Sequence, residues 1–448
     1  MTKIDLSVLT DEELASELAR RRATRQLDAD ATAMEDDAED FGHRLAHEEF
    51  GVFLDEKTKS EDGSRKKCPR CGALCRVRER KVRRTVRSTT GVHEFRRNRH
   101  FCEQCRAGFF PLDIELGLPD EGEVTSKLEG RILDLGLHAP FEAAAERWQL
   151  HHPFEISENQ VRLVVDRVGR RAEQTSPALL AEELRPVESA TATSLVVATD
   201  GSMIPTRGRD SWREVKLGVV YRGEHHMRGA KRGLISQARY VAHLGNVEGF
   251  KAELDVALLA ERADDVPTVG WLGDGAPWIW NLADEICPNA IQVLDFYHAV
   301  EYASTVAKEL FPKDDVIRRL WLSRVETLLY TGQISLLFEE LEACLFLTRG
   351  HQREQLKRVI GYYRENERRI DYPRYRALGL PCGSGVVESG HGHVLQPRMK
   401  LTGQRWDPIR AARLARLRAA AATAGPARVH SALCRAAARS QDLTTLAA

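Results

Sequence analysis

No apolar run in this 448-residue sequence approaches the roughly 18–20 residues that cross a bilayer. The opening stretch, MTKIDLSVLTDEELASELARRR, has no apolar segment of the signal-peptide kind. These two absences predict a cytoplasmic protein with no membrane partner. No internal repeat is present. Net charge is also missing, because 66 Lys and Arg balance 66 Asp and Glu. The balance hides a segregation: residues 1–60 are acidic, with MEDDAED as the densest patch, and residues 65–100 are basic. From Arg398 onward nearly every charge is arginine. Such asymmetry fits a nucleic-acid binder better than a neutral enzyme, with plain solvated surface as the alternative. Cysteine is sparse except in one window, where five of the nine lie between positions 68 and 105. That clustering points to metal rather than disulfides.

Within the window, CPRCG at 68–72 and CEQC at 102–105 are two Cys-x-x-Cys pairs. Two thiolates three positions apart reach one ion from a tight turn, and two such turns complete a tetrahedral four-thiolate zinc site. The expected ligands are Cys68, Cys71, Cys102 and Cys105, while Cys75 falls outside the spacing. The segment between the pairs alternates and is rich in β-branched and basic residues, so it should form antiparallel strands. Ten Lys and Arg against two Glu lie in 76–100. Arg83, Arg84, Arg96 and Arg97 are the expected phosphate contacts on that ribbon.

Before the ribbon, residues 10–50 read as a polar helix with Leu14, Leu18, Leu27, Phe41 and Leu45 as sparse apolar positions. Such a helix suits the periphery or a partner. The stretch LDEKTKSEDGSRKK (54–67) reads as a polar linker. After the ribbon, a short helix, a break at HHPFEIS and a second helix capped by Ser157 are compatible with a helix-turn-helix. Its second helix would offer Gln160, Arg162 and Arg167 to a major groove; a plain helical connector is the alternative.

From 194 the pattern is β-β-β-α-β-α-β-α, the order of the ribonuclease-H-like fold. The strand SLVVATD should end near Asp200, VPTVGWLGD at Asp274 and NAIQVLD at Asp295. In that order the first and fourth strands are neighbours, so Asp200 and Asp274 can share a divalent cation. A buried carboxylate pair would repel without one. Hard oxygen ligands favour Mg2+ or Mn2+ over zinc. A third carboxylate should come from a later helix, and Glu388, after the glycine-rich stretch LPCGSG, is the candidate. The expected organisation is an acidic helical region and linker over 1–62, a β zinc ribbon over 63–118 and a helix-turn-helix-like region over 119–188. An α/β ribonuclease-H-like core follows over 189–311 and 372–424, interrupted by a helical insertion over 312–371, and a tail covers 425–448.

The ribbon followed by FFPLD, then DGSMIPT, WREVKLGVVY, GDGAPWIWNLADEICPNAIQVLDFYHAVEY, YPRYRALGLPCGSGVVES and RMKLTGQRW, resembles bacterial insertion-sequence transposases of the DDE class, specifically the ISKra family. The resemblance implies Asp200, Asp274 and Glu388 as a metal-binding triad, and Asp295 with His298 as a (C/D)xxH element. It implies two ions about 3.5–4 Å apart at the scissile phosphate. Water would cleave the element end, and the freed 3′-OH would attack target DNA. His298 would contact the phosphate or orient water. The implied partners are double-stranded DNA and a second copy of the chain, at a nucleoid location. Arg398, Lys400 and Arg405 are further candidate phosphate contacts, and Trp406 is first an apolar anchor and second a base-stacking residue. His391 and His393 follow Glu388 without an assigned role. Two other readings keep the same fold: a non-catalytic DNA-binding regulator and a metal-dependent nuclease.

Overall fold

A computed structural model describes residues 10–23, 30–119, 122–184, 192–208, 211–228, 233–383 and 385–446. The chain divides into two compact units, Met1–Val165 with Ala437–Ala448, and Asp166–Ala436.

The first unit opens with helices Asp11–Ala23 and Ala31–Lys59, the second capped by the Asp30 carboxylate, which accepts from the Ala33 amide. The second helix extends well into the expected linker at 54–67. The reason is Leu54, which is 3% exposed and packs with Val86, Phe95 and Leu112, flanked by Phe50 one turn earlier. The polar helix is therefore docked on the ribbon by two apolar side chains at i, i+4 spacing. The ribbon itself is a four-stranded antiparallel sheet in chain order: β1 (Lys66–Lys67), β2 (Leu74–Ser88), β3 (Gly91–Cys102) and β4 (Ala107–Phe109). Ser88 pairs with Gly91 across the hairpin, and Gly91 takes φ +128°, which a side chain would oppose. Helices Ser126–His138, Phe141–Gln149 and Glu158–Gln174 follow. The last is entered through a reciprocal cap, in which the Gln160 amide donates to Ser157 Oγ and the Gln160 side chain accepts from the Ser157 amide.

The second unit is built on a mixed sheet. Its strands are β5 (Ser194–Pro205), β6 (Trp212–Arg222), β9 (Arg239–Leu244), β10 (Thr268–Gly273) and β11 (Ile291–Leu294), and a separate small hairpin of β7 (His226–Arg228) and β8 (Gly233–Ile235) lies between β6 and β9 in sequence. The spatial order is β11-β10-β5-β6-β9. β5, β10 and β11 run parallel, while β6 is antiparallel to both β5 and β9. A central strand is covered on both faces, and Leu195 through Thr199 are accordingly all buried without alternation. Helices Val247–Ala260 and Pro277–Ile286 make the crossovers to β10 and β11, and Phe296–Leu310 follows the last strand. Helices Asp315–Thr331, Ile334–Leu347, Gly350–Glu365 and Tyr372–Ala377 come next, then Gly385–Gly390, a π-helical turn His391–Leu395, Gln396–Met399, Pro408–Ala424 and Pro426–Leu446. Among the described residues no helix is long and apolar enough to cross a membrane.

Candidate metal centre and carboxylate site

The four cysteines of the two Cys-x-x-Cys pairs come together in the first unit. Sγ atoms of Cys68, Cys71, Cys102 and Cys105 all lie within 4.8 Å of one another. Cys71 and Cys102 sulfurs are 3.5 Å apart, Cys68 and Cys105 3.9 Å. Each turn aims an amide at its first sulfur, Arg70 N–H at Cys68 and Cys105 N–H at Cys102, both at 3.4 Å. The Cys105 amide is the main reason the Cys102 thiol is lowered to about 6, favouring the thiolate a metal needs. The shift is not shared by all four: contact with Cys71 pushes Cys105 up to about 12, and burial pushes Cys75, whose thiol donates to the Ala73 carbonyl, up to about 11. Four sulfurs, clustered at this spacing and served by amides, fit a structural zinc ion.

The basic strands behave differently from the expectation. Neighbours on a strand point to opposite faces. Gly91, His93, Phe95 and Arg97 are buried, while Val92, Glu94 and Arg96 are exposed. Arg97 is 6% exposed, pairs with the buried Asp113 carboxylate and lies 3.6 Å from the Phe110 ring centroid. It is a core ion pair, not a phosphate contact. Arg84 also turns away, donating to the carbonyls of Pro119 and Gly122. Arg83 and Arg96 face each other across the ladder in the open, with Glu94 paired to Arg83. In the following helix the Gln160 carbonyl is spent on the Ser157 cap, and Arg162 pairs with Asn159.

In the second unit three parallel strands deliver carboxylates to one edge. β10 leaves β5 at the pair Leu272–Ala198, two residues before Asp200, while β6 follows β5 on to Pro205–Trp212. Asp200 is thus inside the strand rather than at its end, and it becomes accessible because its parallel neighbour stops. Asp274 follows the last residue of β10 and accepts from the Ala276 amide at 2.9 Å. Gly275 takes φ +104°, and a Cβ there would come within 2.9 Å of the Tyr362 ring, whose hydroxyl donates to the Asp274 carbonyl. Tyr362 belongs to the helical segment before Glu388 and stacks on Tyr302 at 3.8 Å. Asp295 follows β11, and its amide donates to the Gly273 carbonyl at 2.8 Å.

Asp295 is 1% exposed, caps the helix Phe296–Leu310 through the His298 amide, and stands 3.2 Å from His298 Nδ1. Its carboxylate is directed to His298, through both the amide and the ring, rather than to solvent. The His298–Asp295 contact is an ion pair more than a well-aligned hydrogen bond. Contact with Asp295 and the charges of Asp295, Asp274 and Asp200, against the opposing effect of burial, raise His298 to about 9. Among the described residues no three of these His, Asp and Glu side chains gather within 4.8 Å of one another, unlike the cysteines.

Glu388 lies on the helix Gly385–Gly390, which packs on β5 and β6. It is exposed, and among the described residues the carboxylates of Asp200, Asp274 and Glu388 are not all within 4.8 Å of one another. One turn on, His391 Nε2 sits 3.0 Å from Asp200 Oδ2, a contact that the spacing i, i+3 from Glu388 makes possible but no motif announced. His393 is exposed. Lys400 also reaches this edge, donating to Ser202 Oγ; burial lowers its ammonium and the Asp200 charge opposes that. Arg398 is 1% exposed, with its guanidinium 4.9 Å from the Trp406 ring centroid. It is a packing residue, and burial lowers it to about 10. Trp406 is tied by its backbone to Pro205 and Arg207 at the end of β5, the anchor role. Arg405 is exposed.

A family model described as "Uncharacterised protein family (UPF0236)" matches residues 75–425. The match takes in all three carboxylates, His298 and the second cysteine pair, and begins after the first pair. The UPF0236 protein in vanSb 3′region of Streptococcus gallolyticus is 24% identical over 327 residues, covering 72% of this chain and 69% of that protein. With the family model spanning well over half of its length, the chain belongs to the UPF0236 family.

Proposed function

We propose that this protein is a DDE transposase of an insertion sequence, with a ribonuclease-H-like catalytic core. The observation that carries the proposal is the delivery of Asp200 and Asp274 by adjacent parallel strands β5 and β10 to one end of the sheet, with Asp295 and His298 following the next parallel strand. The strand order, with the three-strand meander β5-β6-β9 on one side and β10 and β11 on the other, supports the fold. Open α/β sheets bind ligands beyond the carboxyl ends of their strands. Asp200, Asp274 and Glu388 would hold the divalent cations, and bound ions would supply charge neutralisation at the phosphate and activation of water.

The chain's own groups divide the rest of the work. His298, held protonated by Asp295, would bind a non-bridging phosphate oxygen. Tyr362 fixes the Asp274 turn from below. Water attacks phosphorus at the element end and the 3′-oxygen leaves as a hydroxyl. That hydroxyl then attacks a target phosphodiester, forming one P–O bond as the target's own 3′-oxygen departs. The exposed arginines Arg83 and Arg96 of the ribbon, Arg162, and Arg405 would contact DNA phosphates, and two element ends would be held by at least two copies of the chain. A protein acting on the chromosome this way works at the nucleoid.

The exposed position of Glu388 favours a second reading, a DNA-binding regulator derived from such an enzyme. A strand-transfer assay with Mn2+ and the DNA flanking the gene, searched for inverted repeats, separates the readings. Cleavage and joining that vanish in Asp200→Asn support the transposase. Binding without cleavage supports the regulator, and cleavage without joining supports a nuclease.

A further inference from the structure

One buried side chain is aimed at the carboxylate edge and has no part in the chemistry above. His391 is 5% exposed, and its Nε2 stands 3.0 Å from Asp200 Oδ2. It opens the π-helical turn His391–Leu395, directly after the helix that bears Glu388. π turns are rare and occur often at functional sites. The residue before it explains how the ring gets there. A Cβ on Gly390 would meet Leu217 Cδ2 at 3.0 Å and Val219 Cγ2 at 3.2 Å, so the absence of a side chain lets this helix lie close on β6. The imidazole of the next residue is thereby pressed against the carboxylate. Nδ1 of His391 is buried without a hydrogen-bond partner, so the ring's polar contact is the one it makes with Asp200.

We infer that His391 is a metal ligand, its Nε2 and Asp200 Oδ2 taking adjacent positions on one divalent ion and giving the site a nitrogen donor. The inference rests on the metal-dependent reading of this site. Ligands about 2.0–2.2 Å from an ion and at right angles stand about 3 Å apart, which is the separation seen. A neutral imidazole adds a donor without adding a further negative charge beside Asp200 and Asp274. Nitrogen ligation favours first-row transition ions over Mg2+, so the site is biased toward Mn2+. The competing role is a positioning hydrogen bond, with His391 orienting Asp200 and never touching the ion.

Pulsed electron paramagnetic resonance of the full-length, zinc-loaded protein with added Mn2+ reads the bond directly. The expected result is an echo modulation from directly bound imidazole nitrogen, altered by 15N-histidine labelling. It is lost in His391→Ala and His391→Gln and kept in His298→Ala. Mn2+ affinity should fall about 10-fold or more in both His391 variants, with a smaller change for Mg2+. Mn2+ bound without a nitrogen signal in the unaltered protein overturns the inference and needs no variant. Asp200→Ala distinguishes the two levels. If it abolishes Mn2+ binding while His391 is silent, only the ligand assignment fails. If it leaves Mn2+ binding intact, the ion is elsewhere and the proposed catalytic site fails with it.

Discussion

The cysteine cluster and the carboxylate edge are two metal-type constellations built in opposite ways. The first is local: each pair lies within a single turn, and one hairpin carries the second pair to the first. Its four donors are gathered to within 4.8 Å. The second draws on β5, β10 and a helix far along the chain, and its three carboxylates are not gathered to that distance. Thiolates brought together by turns are held by the covalent chain. Carboxylates brought together by a sheet repel and are held by the whole core. The first should therefore matter most for folding and the second for chemistry.

Removing metal from the ribbon should give the largest effect. Structural zinc contributes on the order of 10–16 kcal/mol of binding free energy in small domains. Cys102→Ser, or chelation, should cost the ribbon its zinc and its amide-exchange protection over residues 66–109, while the strands β5 and β10 keep theirs. Mass spectrometry of exchanged peptides with metal analysis checks this. Protection retained in a metal-free ribbon would break the comparison.

Asp200→Asn and Asp274→Asn should do the reverse. We expect DNA cleavage to fall by about 10³-fold or more, in the manner of a lost transition-state contact. Thermal stability without divalent ions should change little, since relief of the repulsion between neighbouring like charges is offset by the lost attraction to His298. A large loss of stability in either variant would mean that these carboxylates are structural.

The contrast between the sites matches what the sequence made legible. Both cysteine pairs and the carboxylates at 274 and 295 are visible because spacing and strand-end position are one-dimensional signals, whereas Asp200, expected near a strand end, lies inside β5. The meander and crossover elements are visible for the same reason: apolar runs bounded by glycine and aspartate mark strands. Three things were hidden. The exit of β10 before Asp200 depends on how far two strands pair, which neither strand's sequence states. His391 reaches Asp200 only because the helix lies flat on β6 at Gly390. The helix through Leu54 overran a polar stretch because its apolar pair found the ribbon. Period two alone separates one pair: Arg96 and Arg97 are adjacent on a strand and cannot share a face.

That pair sharpens the comparison inside the ribbon. Arg97→Ala removes the cation that pairs with the buried Asp113 carboxylate, a change that costs about 3–5 kcal/mol in comparable sites. Arg96→Ala should leave stability close to unchanged and reduce the salt dependence of DNA binding by about one unit of slope. Denaturant unfolding and salt-titrated binding of the two variants measure both. Equal destabilisation would place Arg96 in the fold as well.

The smallest effect concerns His298, and it tests whether the carboxylate edge acts as one electrostatic unit. The ring is raised from its ordinary 6.5 to about 9 by the Asp295 contact and by the charges of Asp295, Asp274 and Asp200, against burial. A group raised on folding contributes its full stabilisation below the unfolded value and loses it as pH climbs through the folded one. Without divalent ions, stability should therefore decline between about pH 6.5 and 9 by a His298-dependent increment, because over that window the unfolded ring has released its proton and the folded ring has not. Nuclear magnetic resonance of the ring should give a midpoint near the folded value. Asp295→Asn should move that midpoint most, since Asp295 is in contact. Asp274→Asn and Asp200→Asn should move it less, by charge alone. A midpoint indifferent to Asp200 and Asp274 would mean that the strand ends do not share a field, and the carboxylate edge would then be three separate residues rather than one site.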